Sequence, residues 1–264
     1  MTGRLGGALV LVVVVAAIAG PWVVPYDPAA QELPLRLAGP SWAHPFGLDE
    51  LGRDVLARLL VGARLSLAVG TSVVTLSALV GILVGGVSGY VGGWVDDVIG
   101  RLMDVLLAFP GILLAIALVA ALGPSVRHLV GALAAIGWVS YARLVRGQVL
   151  KIRELDYVQA ARALGARGGR VLIGHVIPAT LGAVTAQATL GLGGVIIAEA
   201  SLSFLGLGVQ PPAPSWGTML DAGRSHMFDA PHLTIFPGVA IACLVLGFNL
   251  AGDALRDRLD PRAI

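Results

Sequence analysis

The chain has 264 residues, 56% of them hydrophobic and only 13% charged, with a formal net charge of +2 and a mean hydropathy of +0.86. Soluble domains carry about 25% charged residues, so the polar shell that a water-soluble fold of this length needs is missing. That excludes a soluble enzyme and leaves an all-α integral membrane protein, and no nucleic-acid partner is implied, because the basic residues gather in one loop as membrane topology requires.

A bilayer core of ~30 Å is crossed by about 20 apolar residues in a helix. Six stretches predict spans: 5–24, 65–89, 102–122, 128–142, 179–199 and 233–252. The first follows MTGR and has the positive start and apolar core of a secretory signal. It continues through Pro21 to Val24 with five further spans behind it, which predicts an uncleaved span within an N-terminal unit 1–43. Residues 44–264 then form the main transmembrane domain.

The run 65–89 contains no charge. Gly81, Gly85, Gly89 and Gly93 recur every fourth residue, which predicts one helical face that a neighbouring backbone can approach closely. Next comes VDDVIGRLMD, whose Arg101 and Asp104 are three apart and can pair on one helix face. The stretch 128–142 is short and ends at Arg143, but without it the basic regions would fall on opposite sides of the membrane.

Glu199 ends the fifth span and predicts either a carboxylate at the external interface or a gating residue. Beyond it, residues 203–224 contain Gly206, Gly208, Pro211, Pro212, Pro214 and Trp216, too irregular for a span. Phe204, Gln210, Pro211, Pro212 and Trp216 are candidates for external docking or a re-entrant plug; a plain rigid loop is the alternative.

With the N-terminus in the cytoplasm, the segments 1–4, 90–101, 143–178 and 253–264 hold 12 Lys and Arg, against 6 in the external segments. This bias predicts that both termini are cytoplasmic. Seven of the 12 lie in 143–178.

No G-x-x-x-x-G-K-[ST] loop occurs, so the chain is not a P-loop ATPase by itself. His44, His128, His175, His226 and His232 are scattered, which argues against a metal site. There is no G-x-S-x-G elbow and no second aspartate to face Asp104, so no catalytic residue is assigned. Cys243 is the single cysteine and cannot form an intrachain disulfide.

The basic loop contains DYVQAARALGARGGRVLIGHVIPA (156–179). Residues 156–164 are fair helix formers with Asp156 as a possible N-cap, and Gly165 and Gly168–Gly169 predict breaks. A second short helix over 170–177 is expected to stop at Pro178. Ala160, Ala161 and Ala163 let another surface pack closely, while Arg162, Arg167 and Arg170 can meet carboxylates on it. These features predict a docking element.

QAARALG, followed after nine residues by HVIP, resembles the EAA loop of bacterial ATP-binding-cassette (ABC) importer permeases. Gln159, Ala160, Ala161, Gly165, Ile177 and Pro178 occupy the motif positions, with His175 in its closing segment and Gln159 where glutamate is usual. Residues 44–67, 89–116, 203–220 and 248–262 resemble the dipeptide, oligopeptide and nickel permease family, in particular its C-type subunit.

The resemblance implies a type I ABC importer permease fold in the bacterial inner membrane. It further implies a homologous B-type permease, two ATPase subunits or one ATPase pair that bind ATP and Mg, and an extracytoplasmic substrate-binding protein. No cofactor is implied in this chain. Short peptides are the expected substrate, with nickel, glutathione or another small solute as the alternative. An ion-coupled secondary transporter would carry charges deep in several spans, and the sequence has none there.

Overall fold

In the computed structural model, residues 2–259 of the chain are described. The apolar runs fold into α1 (Thr2–Val23), α2 (Val55–Val91), α5 (Val126–Ile152), α8 (Ile177–Phe204) and α10 (His232–Leu259). Shorter helices fill the connections: α3 (Gly93–Leu107), α4 (Gly111–Leu122), α6 (Asp156–Ala163), α7 (Gly168–Val171) and α9 (Trp216–Arg224). Among the described residues, five helices are long and apolar enough to cross a membrane, and α3 with α4 makes a sixth crossing if the pair counts as one span.

The helices differ from the predicted spans in instructive ways. α2 has 37 residues, about 55 Å at 1.5 Å per residue, so it overshoots the ~30 Å hydrocarbon core. The charge-free run 65–89 is only its C-terminal two-thirds. The short stretch 128–142 is the N-terminal part of α5, so Arg143, Arg146 and Lys151 lie on a helix and not in a loop.

The predicted span 102–122 is not one straight helix, because α3 and α4 meet at 84°. Pro110 is the cause. It lacks an amide hydrogen, biases Phe109 away from helical geometry, and restarts the chain as the N-cap of α4.

The glycine face packs α2 against α5. A Cβ on Gly85 would lie 2.3 Å from the Ala142 carbonyl oxygen, so only a hydrogen fits between the two backbones. Gly81 and Gly89 stand on the same seam against Tyr141 and Arg146. Gly93 does not belong to this face: α2 ends at Val91, Gly92 caps it, and Gly93 opens α3.

Gly3 abuts Ala254 at one end of the α1–α10 pair, and Gly182 in the first turns of α8 faces Leu259. Both described chain ends therefore lie at the end of the bundle that carries the 153–177 loop. At the opposite end a core of Val55, Ile196, Trp216, Leu244 and Phe248 joins α2, α8, α9 and α10, and Ala17 of α1 packs into it. The motif residues 248–262 lie on the last turns of α10, except that Asp260, Pro261 and Arg262 fall outside the described residues.

Candidate functional site

At the loop-bearing end, α6 stands clear of the bundle on a small apolar footing. Val158 is fully buried with Val149, Ile152, Val171 and Val176, and Ala161 packs against this cluster. Gln159, Ala160, Leu164 and Gly165 are exposed, Leu164 at 89%. Gly165 turns the chain at φ +85°, a conformation that disfavours any side chain. Asp156 is not the N-cap: Leu155 holds that position, and Asp156 lies in the first turn, where its charge faces the positive helix end.

The second short helix does not stop at Pro178. From Gly168 the chain is helical through to Phe204, passing a π turn at Leu172–Val176. Proline crowds the carbonyl four residues back and cannot donate; the wider turn ahead of it relieves both problems. The predicted docking element therefore runs directly into α8. His175 is exposed on the π turn, Ile177 is half-buried and Pro178 is exposed in the first turn of α8.

The three loop arginines part ways. Arg167 and Arg170 are exposed, whereas Arg162 turns inward, its guanidinium 5.0 Å from the Tyr90 ring centroid at the end of α2. Gln159 donates from Nε2 to the Arg153 carbonyl at 3.1 Å, and Arg153 donates from Nη1 to the Gly89 carbonyl at 2.8 Å. Two adjacent residues of α2, Gly89 and Tyr90, thus hold both the start of the loop and α6.

Ion pairs extend this anchorage. Arg146 of α5 grips both carboxylate oxygens of Asp96 in the first turn of α3, a fork geometry suited to guanidinium. Ser88 of α2 donates to the same carboxylate. Asp104 pairs with Arg143 and not with Arg101, because the far side of α3 faces α5. Sequence spacing alone had no means of finding partners 39 and 50 residues away.

The opposite end contains a second polar cluster. Glu199 is wholly buried instead of lying at an interface, and accepts from Ser66 of α2 at 3.0 Å and Ser203 at 2.8 Å. Ser203 Oγ also accepts from the Val209 amide at 3.3 Å, tying the irregular segment to α8.

Trp216 is not available for docking either. It is 2% exposed and donates from Nε1 to the Leu59 carbonyl at 2.9 Å, beside Gly62, whose missing side chain leaves it room. Phe204 lies under the Arg224 guanidinium, 5.5 Å from the ring centroid. Gln210, Pro211 and Pro212 remain exposed, with Gln210 donating to the Gly206 and Gly208 carbonyls.

A bundle of apolar helices, one of them broken, with a helical loop braced outside it, is the architecture of a multi-pass membrane protein. The chain belongs to the family described as binding-protein-dependent transport system inner membrane components, which it matches over residues 77–264. Residues 2–40 match the N-terminal TM domain of oligopeptide transport permease C, which specifies the C-type branch.

The chain is 46% identical over 257 residues to the glutathione transport system permease protein GsiD of Pectobacterium atrosepticum, covering 97% of this chain and 85% of that one. It is 48% identical over 227 residues to the dipeptide transport system permease protein DppC of Alkalihalophilus pseudofirmus, covering 86% and 75%. Among solved structures, the MetNI methionine ABC transporter in inward-facing conformations aligns with a TM-score of 0.55 at 18% identity, over 74% of this chain and 94% of that chain. The fold is therefore that of a type I ABC importer permease.

Proposed function

We propose that this chain forms half of the translocation pathway of an ATP-driven importer for short peptides, and that α6 with its glycine turn is the docking arm for a separate ATPase. In this reading the loop-bearing end and both termini face the cytoplasm. A homologous permease completes the pathway, an external binding protein delivers the substrate, and ATP and Mg bind only the ATPase partners. Relatives whose names specify dipeptide and glutathione transport support a peptide with free carboxylates as cargo.

The observation that carries the reading is the construction of the loop. An exposed face of Gln159, Ala160 and Leu164 rides on a buried valine footing and is tied to α2 through Arg153 and Tyr90. A large side chain left 89% exposed at the apex of a braced turn has a place in a partner's groove. A force applied there passes to α2 through Gly89 and Tyr90, and to α8 through the continuous helix from Gly168.

The test is co-purification of the ATPase with the chain. Leu164→Asp and Ala160→Arg change exposed positions only, so membrane insertion and thermal stability are expected to hold while retained ATPase falls at least tenfold. Normal ATPase recovery from both variants would remove the docking assignment.

A further inference from the structure

At the loop-bearing end a cavity of about 690 Å³ opens between α5, α8 and α10, within the ~300–1,000 Å³ of small-molecule sites. α5 contributes Leu144, Gln148 and Lys151, four and three residues apart and so on one helix face. α8 faces them with Gln187 and a run of alanines and Gly182, whose short side chains leave the space. Arg256 and Leu259 of α10 complete the wall.

Two cations and no carboxylate line this cavity among the described residues. Lys151 and Arg256 are both exposed, and neither forms an ion pair among the described residues. Glu154, three residues beyond Lys151, is taken by Arg153 at 3.0 Å instead. Membrane topology explains on which side cations gather, but not why two share one concave surface with no acid between them. A cleft lined by one sign of charge concentrates the opposite sign.

The cavity continues toward mid-membrane. Gln187 stands ten residues beyond Ile177, the start of α8, about 15 Å along the helix. It also lines the next space, between α4, α5 and α8, together with Ser140, one turn before Leu144. The wall thus passes from a hydroxyl and amides to cations at the loop-bearing end. Polar side chains at such depth in spans mark a path for polar solutes, and amides suit a hydrated peptide better than an acyl chain, which selects cargo over a phospholipid as the occupant.

We infer that the α5–α8–α10 cavity is an exit site that reads the carboxylate end of the cargo, with Lys151 and Arg256 receiving the carboxylate and Gln148 and Gln187 the peptide's amides. The inference rests on the short-peptide reading and deepens it, by making the free carboxylate the feature recognised on the way out. Both cations are exposed, so each contact is of the strength of a surface ion pair, and the cargo leaves again, as a pathway requires.

The experiment uses the complete nucleotide-free importer, purified through this chain into phosphatidylcholine nanodiscs without binding protein. Binding of dialanine, dialanine amide and glutathione is titrated by saturation-transfer NMR on wild type, Lys151→Gln, Arg256→Gln, the double Gln variant and the pair Lys151→Glu/Arg256→Glu. Wild type is expected to bind dialanine about fivefold more tightly than its amide at low salt, a preference that fades by about 0.5 M salt. Each single Gln variant should lose about two- to threefold for the acid alone, and the double variant the whole preference. The Glu pair should reverse it, because dialanine amide carries a net positive charge. Tm and ATPase recovery should hold, since both side chains are exposed.

Glutathione bound in place of dialanine, with the same sensitivity to the variants, would uphold the site and replace the dipeptide part of the reading. Equal affinity for acid and amide, or a preference that the variants leave unchanged, would overturn the site while the short-peptide reading stands; no binding of any of the three would overturn both. Loss of the ATPase from the Gln variants would overturn the site by assigning the cations to a subunit contact. Anionic phospholipid retained by wild type and lost from the variants, with peptide binding unchanged, would overturn it in favour of lipid.

Discussion

Gly85→Ala tests the closest approach in the bundle. The added methyl would meet the Ala142 carbonyl oxygen at 2.3 Å and Ala142 C and Cα at 2.9 Å, all of them backbone. No rotamer can relieve this, so α2 and α5 must separate until the gap reaches the ordinary contact of 3.4 Å, a retreat of about 1.1 Å. Overpacking of this kind costs about 1–3 kcal/mol, against roughly 0.5–1 kcal/mol gained by replacing a helical glycine. The net effect is a destabilisation of about 1–2 kcal/mol and a Tm lower by a few degrees.

Gly131→Ala supplies the opposite sign. Gly131 lies in α5 with nothing within 4 Å of the added methyl, so only the backbone gain applies. Both variants are melted in the same detergent by following exposure of the half-buried Cys243 thiol. If Gly85→Ala melts at or above Gly131→Ala, the backbone contact is not what positions these helices.

Glu199→Leu should lower stability by about 1–3 kcal/mol, because it strands the Ser66 and Ser203 hydroxyls, while Glu199→Gln keeps an acceptor and should cost less; thermal melts of the two variants check the order. Trp216→Ala should cost about 3–5 kcal/mol through the cavity it opens, and Trp216→Phe far less, measured the same way. Asp96→Ala should change stability by only about 1 kcal/mol, since Arg146 is 37% exposed and solvent screens the pair, yet lower transport at unchanged ATPase recovery, with Asp96→Arg/Arg146→Asp restoring part of it. Gln159→Glu removes the donor to the Arg153 carbonyl and sets a carboxylate near that of Glu154; hydrogen exchange of α6 should accelerate severalfold, about 1 kcal/mol of local stability.

The residues that report on themselves were legible in the sequence. Apolar length marked the long helices, since a bilayer selects for about 20 apolar residues regardless of what packs against them. The four-residue glycine period marked the face of α2 that meets α5, and the family was readable from QAARALG and its neighbours. Gly165 marked the turn after α6, because few other residues adopt its positive φ without strain.

Partnership was not legible. Glu199 and Trp216 read as external features and lie in the core, since burial depends on serines and helices more than 130 residues away in the chain. Arg162 read as a free cation and lies over Tyr90, and Asp104 pairs across to α5 in place of its neighbour Arg101. A local reading also broke the chain at Pro178, where a π turn carries the helix through. The two buried hydroxyls without a partner among the described residues, Ser77 Oγ and Tyr141 Oη, have no local signal at all, because what covers them is the packing of α2, α5 and α8. Sequence by itself determines which segments must leave water and which backbone positions cannot carry a side chain, because those are properties of single residues and their near neighbours; which polar groups meet, and which are left without a partner, depends on atoms distant in the chain, and only the tertiary packing decides that.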